Sequence, residues 1–360
     1  MKRDPVQRGP ADLVREEILA LKAYHVPAAD GMIKLDAMEN PYRLPEPLRE
    51  EVGRLVATLP INRYPDPGAP ELKARLRATF GIPDDCGLLI GNGSDEIIQI
   101  VAHALARPDA TLLAPEPSFA MYRMNAVIAR LRYVGVPLRR DFTLDPARFL
   151  AAIEEHRPAV IFIAYPNNPT GNLFPAAAVE RIIAAAPGLV VLDEAYHVFA
   201  GKTFMTELGR FPNLMVMRTV SKLGLAGVRL GYAVARPEWI RELDKVRSPY
   251  NVSVLTQFVA DRVLAHVGAL HDQAERIKAE REAMIGRLRD LRGVEAFTSD
   301  ANFILVRVPD ADAVDAHLKA RRILVRNFHG SHPLLANCLR LTVGTPGENE
   351  LALAALAERV

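Results

Sequence analysis

The chain has 360 residues, 49% of them apolar and 24% charged, the mix of an ordinary water-soluble globular protein long enough for two packed domains. Its 45 Lys+Arg and 43 Asp+Glu leave a net charge near +2, too weak a field to draw in nucleic acid or an anionic membrane. Cys86 and Cys338 are too few for a disulfide framework or a four-ligand zinc site, no metal is expected, and no stretch approaches the ~20 apolar residues of a membrane helix. The opening MKRDPVQRGP is basic but is followed by no apolar signal core, so the expectation is a cytoplasmic enzyme or soluble binding protein.

Prolines cluster at 41–47 and 60–70, which reads as irregular connection. From residue 70 onward helices alternate with short apolar strands. Pro70–Phe80 is a predicted helix, with Leu72, Leu76 and Phe80 at helical spacing and Gly81 as its stop. Then come a strand over Leu88–Ile90, a helix over Ser94–Ala106, a strand over Thr111–Ala114 and a helix over Ser118–Arg130. Val160–Ala164 is an unbroken apolar run of the kind buried in parallel sheets. A helix over Phe174–Ala186 and strands over Leu189–Leu192, Leu214–Met217 and Gly231–Ala235 complete the pattern. This order implies an α/β fold with a mostly parallel sheet sandwiched by helices.

Past Arg236 the texture changes. Glu238–Arg247 and Ser253–Leu291 read as largely helical, and the charges of 274–292 read as a solvated helix face opposite Ile277, Met284, Ile285, Leu288 and Leu291. Strands are expected over Phe303–Val308, Leu324–Arg326 and Leu339–Val343, with helices over Ala311–Ala320 and Glu348–Ala357. The expected division is an N-terminal arm (1–45) packing on the small domain, a large α/β domain (46–247) and a smaller α+β domain (248–360).

In open parallel sheets ligands bind beyond the carboxyl ends of the strands, and five predicted strand ends carry distinctive residues. Gly91-Asn92-Gly93-Ser94-Asp95-Glu96 suits either a phosphate cradle at a helix start or an ordinary capped turn. Phe119, in Pro115-Glu116-Pro117-Ser118-Phe119, is either a stacking aromatic or core. Tyr165-Pro166-Asn167-Asn168-Pro169-Thr170-Gly171 presents the Asn168 amide at the sheet edge or forms a plain loop. Asp193, at the end of an apolar strand, is a carboxylate that burial obliges to find a cation or strong donors, on a ligand or in a structural ion pair. Lys222 lies in the near-apolar Ser221-Lys222-Leu223-Gly224-Leu225-Ala226-Gly227-Val228-Arg229-Leu230-Gly231-Tyr232. There desolvation and nearby cations lower an amine's pKa and free it to act as nucleophile and base.

Taken together, GNGSDE, PSF, YPNNPTG, LDEAY and SKxxGLAGxRxGY, in this order and spacing, resemble the fold-type-I pyridoxal-phosphate aminotransferases over nearly the whole chain. LDAMENPY (35–42), NRYP (62–65) and NCLRLTVG (337–344) are similar to the histidinol-phosphate aminotransferase branch, although Phe119 stands where tyrosine is frequent and Arg43 where glycine is. The resemblance implies that Lys222 holds pyridoxal 5'-phosphate covalently, that Asp193 pairs with its ring nitrogen, that Asn168 and Tyr196 bond its 3' oxygen, and that Phe119 stacks on its ring. Lys222, Asp193 and Tyr196 are thereby the catalytic residues. Ser94, Asp95, Glu96, Ser221 and Arg229 are implied at the phosphate end, with Tyr64 arriving from the neighbouring subunit of a homodimer. Arg340 is implied as the substrate-anion arginine, with Tyr24, Asn40 and Arg326 as further substrate positions.

The reaction implied is transfer of nitrogen from L-histidinol phosphate to 2-oxoglutarate, giving imidazole acetol phosphate and glutamate, in histidine biosynthesis. An aromatic amino-acid aminotransferase, a threonine-phosphate decarboxylase and a cofactor-binding regulator without catalysis remain open alternatives at this point.

Overall fold

A run such as Val160-Ile161-Phe162-Ile163-Ala164 has no polar face, so as a strand it needs cover on both sides. In the structure, a computed structural model describing residues 8–23 and 27–360, it has that cover. Val160, Phe162 and Ala164 enter one hydrophobic core, and Ile161 and Ile163 enter another on the opposite face. The same alternation holds for Leu189–Asp193, which sends Leu189 and Val191 one way and Val190 and Leu192 the other.

Among the described residues the strands are β1 (Ile33–Leu35), β2 (Gly87–Asn92), β3 (Thr111–Glu116), β4 (Arg132–Pro137), β5 (Val160–Ala164), β6 (Leu189–Asp193), β7 (Leu214–Thr219), β8 (Leu230–Ala235), β9 (Glu295–Ala296), β10 (Phe303–Arg307), β11 (Ile323–Asn327) and β12 (Cys338–Thr342). The larger sheet has seven strands in the order β2-β8-β7-β6-β5-β3-β4. The pairs from β4 through β7 are parallel, and β8 is antiparallel to both β7 and β2. Two antiparallel steps return β2 to the direction of the parallel set. The carboxyl ends of β2, β3, β5, β6 and β7 therefore meet at one sheet edge, together with the start of β8. This is the α/β architecture that the repeated strand–helix order implies.

The structure adds β4 and a helix at Pro146–His156, capped by the Asp145 side chain, in a stretch that carries no clear periodicity. β4 is an edge strand of mostly intermediate burial, so its sequence lacks a continuous apolar run. The long helical region divides into Val254–Leu264 and Val267–Asp290. Its charged face is not wholly solvated, because Arg281 is buried and donates to the Ala301 carbonyl.

The smaller sheet runs β1-β11-β12-β10-β9. Alternation along β11 and β12 sends Ile323, Val325, Leu339 and Leu341 into a third core. It leaves Arg326 and Arg340, which are cross-strand partners, on the other face. β1 adds in parallel at the edge of this sheet, with Leu35 opposite Val325. The N-terminal segment also touches the larger unit, since Arg15 Nη2 donates to the Ile128 carbonyl at 2.8 Å.

Leu35 is 1% exposed and anchors the strand that leads into the site described below. Leu35→Ala is expected to cost ~3 kcal/mol in a denaturant titration. A cost under ~0.5 kcal/mol, the scale of an ordinary surface change, would show that β1 is not held by this core.

Candidate active site

Five strand ends and one strand start converge on a cavity of about 540 Å³, lined by Ser94, Asp95, Phe119, Asn168, Asp193, Tyr196, Ser221, Lys222 and Arg229 among others. These come from all five of the strand-end motifs singled out above. A wider cavity of about 1150 Å³ shares Met38, Asp95, Phe119, Lys222 and Arg229 with it and extends to Arg326 and Arg340.

Asp193 closes β6 and is 5% exposed. Burial pushes its carboxyl up to about 6, against the opposing effect of the two hydrogen bonds it accepts. Tyr122 Oη donates to Oδ2 at 2.8 Å, and the Ala195 amide donates to Oδ1 at 3.1 Å. Lys222 sits in a π-helical turn, Ser221–Leu225, that follows β7. Burial, and next the Arg340 charge, lower its amine to about 8. Its Nζ donates to the Ala37 carbonyl at 3.1 Å. That carbonyl precedes Met38, whose φ of 54° is left-handed, an uncommon state for a non-glycine residue. A buried acid and a buried amine thus share one cavity, each displaced toward neutrality.

At the opposite end the helix Ser94–Leu105 begins at the cavity, with Gly93 rather than Ser94 as its N-cap. Its first-turn amides have no partner within the helix and carry its positive end. Two positions require glycine. Gly93 does so by its φ of +80°, a conformation that L side chains rarely adopt. A Cβ on Gly231 would lie 2.4 Å from the Ser94 amide nitrogen. Arg229, itself left-handed at φ 56°, stands 3.6 Å from Asp95 Oδ2. Thr219 Oγ1 bonds the Ser221 hydroxyl at 2.9 Å. Amides, a hydroxyl and a guanidinium around a space kept open by two glycines form an anion cradle. The cavity therefore fits a flat, cationic ring bearing a phosphate.

Arg340 crosses from the smaller sheet to the cavity, donating to Asn168 Oδ1 at 2.5 Å and to the Asp36 carbonyl at 2.8 Å. Its guanidinium lies 5.2 Å from the ring centres of Phe303 and Phe328. Arg326 lines the wider cavity beside it.

Some expected site residues stand elsewhere. Asn40 is not among the lining residues: its Nδ2 donates to the Leu223 carbonyl and Gln273 Oε1, and its Oδ1 accepts the Tyr42 amide. It braces the Lys222 turn from outside. The Glu96 carboxylate accepts the Asn92 amide and Asn251 Nδ2, buttressing the cradle without facing the cavity. Tyr64 is 80% exposed and stacks on Tyr250 with ring centres 4.4 Å apart, away from the cavity of its own chain. Tyr24 lies outside the described residues. Tyr122, Met38 and Thr219 were not legible as site residues. Tyr122 carries a helical-spacing signal, three positions after Phe119, but apolar periodicity assigns it to the core. Among the described residues no group of three or more His, Cys, Asp or Glu is placed to hold a metal ion.

The sequence family described as aminotransferase class I and II matches residues 30–356. A histidinol-phosphate aminotransferase of Chromobacterium violaceum is 58% identical over 344 residues, covering 96% of this chain and 97% of the relative. One of Ralstonia nicotianae, designated histidinol-phosphate aminotransferase 1, is 54% identical over 362 residues, covering 98% and 97%. Among solved structures, histidinol-phosphate aminotransferase from Sinorhizobium meliloti in complex with pyridoxal-5'-phosphate superposes with a TM-score of 0.85 at 25% identity, covering 95% of this chain and 96% of that one.

The Asp193 shift has a consequence for stability. Its folded pKa of about 6 exceeds the usual 3.8, so stability present below pH ~4 is lost as pH rises through 6 when no cation faces it. Asp193→Asn is expected to stabilise the cofactor-free chain at pH 7 by at most ~3 kcal/mol, and to have no such effect near pH 3.5. Equal effects at both pH values in denaturant titrations would contradict the burial of an ionised group here.

Proposed function

The chain belongs to the class I and II aminotransferases, and from that premise we propose that it transfers the amino group of L-histidinol phosphate to 2-oxoglutarate, using pyridoxal 5'-phosphate, in histidine biosynthesis. The observation that carries this reading is a buried carboxylate and a depressed-pKa lysine in one cavity, with an anion cradle at one end and an arginine pair at its wide mouth.

When bound, pyridoxal 5'-phosphate supplies a protonated, conjugated ring that withdraws electrons from the carbon losing its proton. The residues of the chain do the rest. The Ser94 and Asp95 amides, the Ser221 hydroxyl and Arg229 hold the phosphate. Asp193, fixed by two donors, presents a negative charge to the ring nitrogen and offsets its own burial by that pairing. Asn168 and Tyr196 bond the ring oxygen, and Phe119 covers a face. Lys222 would hold the cofactor covalently, and its free amine, lowered to about 8, would serve as a base near working pH. Its Nζ would be placed to accept and return a proton at the substrate Cα. The π-turn and the Ala37 carbonyl keep that nitrogen at the cavity floor. Arg340 and Arg326 answer a phosphate in one half-reaction and carboxylates in the other, because a guanidinium fork matches either anion. Both halves use the same site, so the kinetics are ping-pong.

A homodimer in the cytoplasm is the expected working form. Tyr64 at 80% and Ile61 at 73% exposure are apolar side chains on one short connection, and burial against a second copy removes them from water. Tyr64 of one chain then completes the cradle of the other.

Three outcomes test the reading. Borohydride treatment of the loaded protein fixes the cofactor on the chain, and Lys222→Ala removes that mass increase; persistence would exclude this lysine. In a coupled assay with CO₂ monitored, histidinol phosphate exceeds phenylalanine and threonine phosphate as donor by roughly 100-fold in kcat/KM, the scale of two charge-assisted contacts, with no CO₂ released. Phenylalanine preference, or CO₂ from threonine phosphate, would replace the substrate assignment. Finally, mixing Lys222→Ala with Tyr64→Ala chains restores activity that neither has alone; no recovery in mixed dimers would place Tyr64 outside the partner's site.

A further inference from the structure

We propose that Tyr122 is a positioning residue for this reaction, its hydroxyl holding the Asp193 carboxylate ionised and in the orientation that meets the ring nitrogen. The inference rests on the pyridoxal-phosphate reading of the cavity, and it adds a residue that none of the site motifs contains.

The geometry is specific. Tyr122 is on the helix Ala120–Ile128, which starts directly after Phe119. Its side chain is fully buried, at 0% exposure. Its ring stacks on Phe162 of β5, with centroids 4.9 Å apart and an interplanar angle of 18°, and meets Phe119 edge-on at 5.6 Å. Those contacts leave the hydroxyl little freedom, and it donates to Asp193 Oδ2 at 2.8 Å. One rigid side chain therefore touches both the residue that covers the cofactor ring and the residue that answers its nitrogen.

The charge balance around Asp193 explains why such a donor matters. Asp95 and Glu194 are negative and disfavour its ionisation. Lys222 and Arg229 line the same cavity from the turn after β7 and the start of β8, and Tyr196 lines it from the turn after β6. Burial is the largest influence and favours the neutral acid. Against it stand the Tyr122 hydroxyl and the Ala195 amide. Only the hydroxyl can be removed by a side-chain change, and Tyr122→Phe keeps the ring and its packing. Proton transfer from the hydroxyl is not involved: Tyr122 remains a neutral donor throughout, since burial beside Asp193 raises its pKa well above the usual 10.0.

The test has two arms. In the first, the Asp193 carboxyl of the cofactor-free full chain is titrated by carbon-13 NMR, with Asp193→Asn identifying the signal. Tyr122→Phe is expected to raise the titration midpoint, whereas Phe162→Leu, which loosens the packing and keeps the hydroxyl, lowers the melting temperature without moving it. An unchanged midpoint in Tyr122→Phe, or an equal rise in Phe162→Leu, overturns the proposal. In the second arm, pyridoxal 5'-phosphate is titrated into each protein. Tyr122→Phe should weaken its binding about tenfold and lower kcat by a similar factor with little change in KM, the scale of one hydrogen bond to a charged group. A loss confined to KM would also overturn it. If the parent chain itself bound no cofactor, the cofactor reading would fail, while the first arm would still decide whether Tyr122 sets the state of Asp193.

Discussion

A carboxylate at the end of a buried strand is unstable until something positive answers it, and much of this molecule is arranged around that demand. Asp193 closes β6 at the middle of the larger sheet, where neighbouring strands exclude water on both sides. Tyr122 and Ala195 occupy one lone pair on each oxygen and leave the rest for a cation in the cavity. Opposite stands Lys222, an amine that burial makes reluctant to be that cation. A bound group that brings its own positive ring and accepts the lysine as a covalent partner relieves both groups together. This complementarity, more than any single contact, selects the cofactor.

The smaller sheet is tied to the same point by long-range bonds. β1 belongs to that sheet, yet the segment just beyond it supplies the Ala37 carbonyl to Lys222 and the Asn40 side-chain amide to the Leu223 carbonyl. From β12, Arg340 reaches Asn168 on the larger unit. An anion bound by Arg340 would act on a side chain already bonded to Asn168.

Much of this was legible in the amino-acid sequence, for identifiable reasons. Lys222 lies in a contiguous motif, and Asp193, Asn168 and Ser94 follow apolar runs whose burial in a parallel sheet brings their ends to one edge. What escaped was of two kinds. Local signals were absent where burial was partial, as at the edge strand β4. Long-range partnerships were invisible because nothing local encodes them. Tyr122 meets Asp193 across 71 positions, and Asn40 and Glu96 carry motif identities while their polar atoms serve the loops beneath the site. Met38 gave no warning either, since methionine has no preference for the left-handed backbone it adopts. Tyr64 is placed by its own chain on the surface, so its single-chain surroundings assign it no role at the site.

The most direct measurement is a crystal structure of the full chain grown with pyridoxal 5'-phosphate. The expected result is continuous density from Lys222 Nζ to the cofactor, with the ring nitrogen within hydrogen-bond distance of an Asp193 oxygen and the phosphate at the Ser94 helix start. A cofactor bound elsewhere, or seated with its ring nitrogen turned away from Asp193, would contradict the pairing on which the chemistry rests.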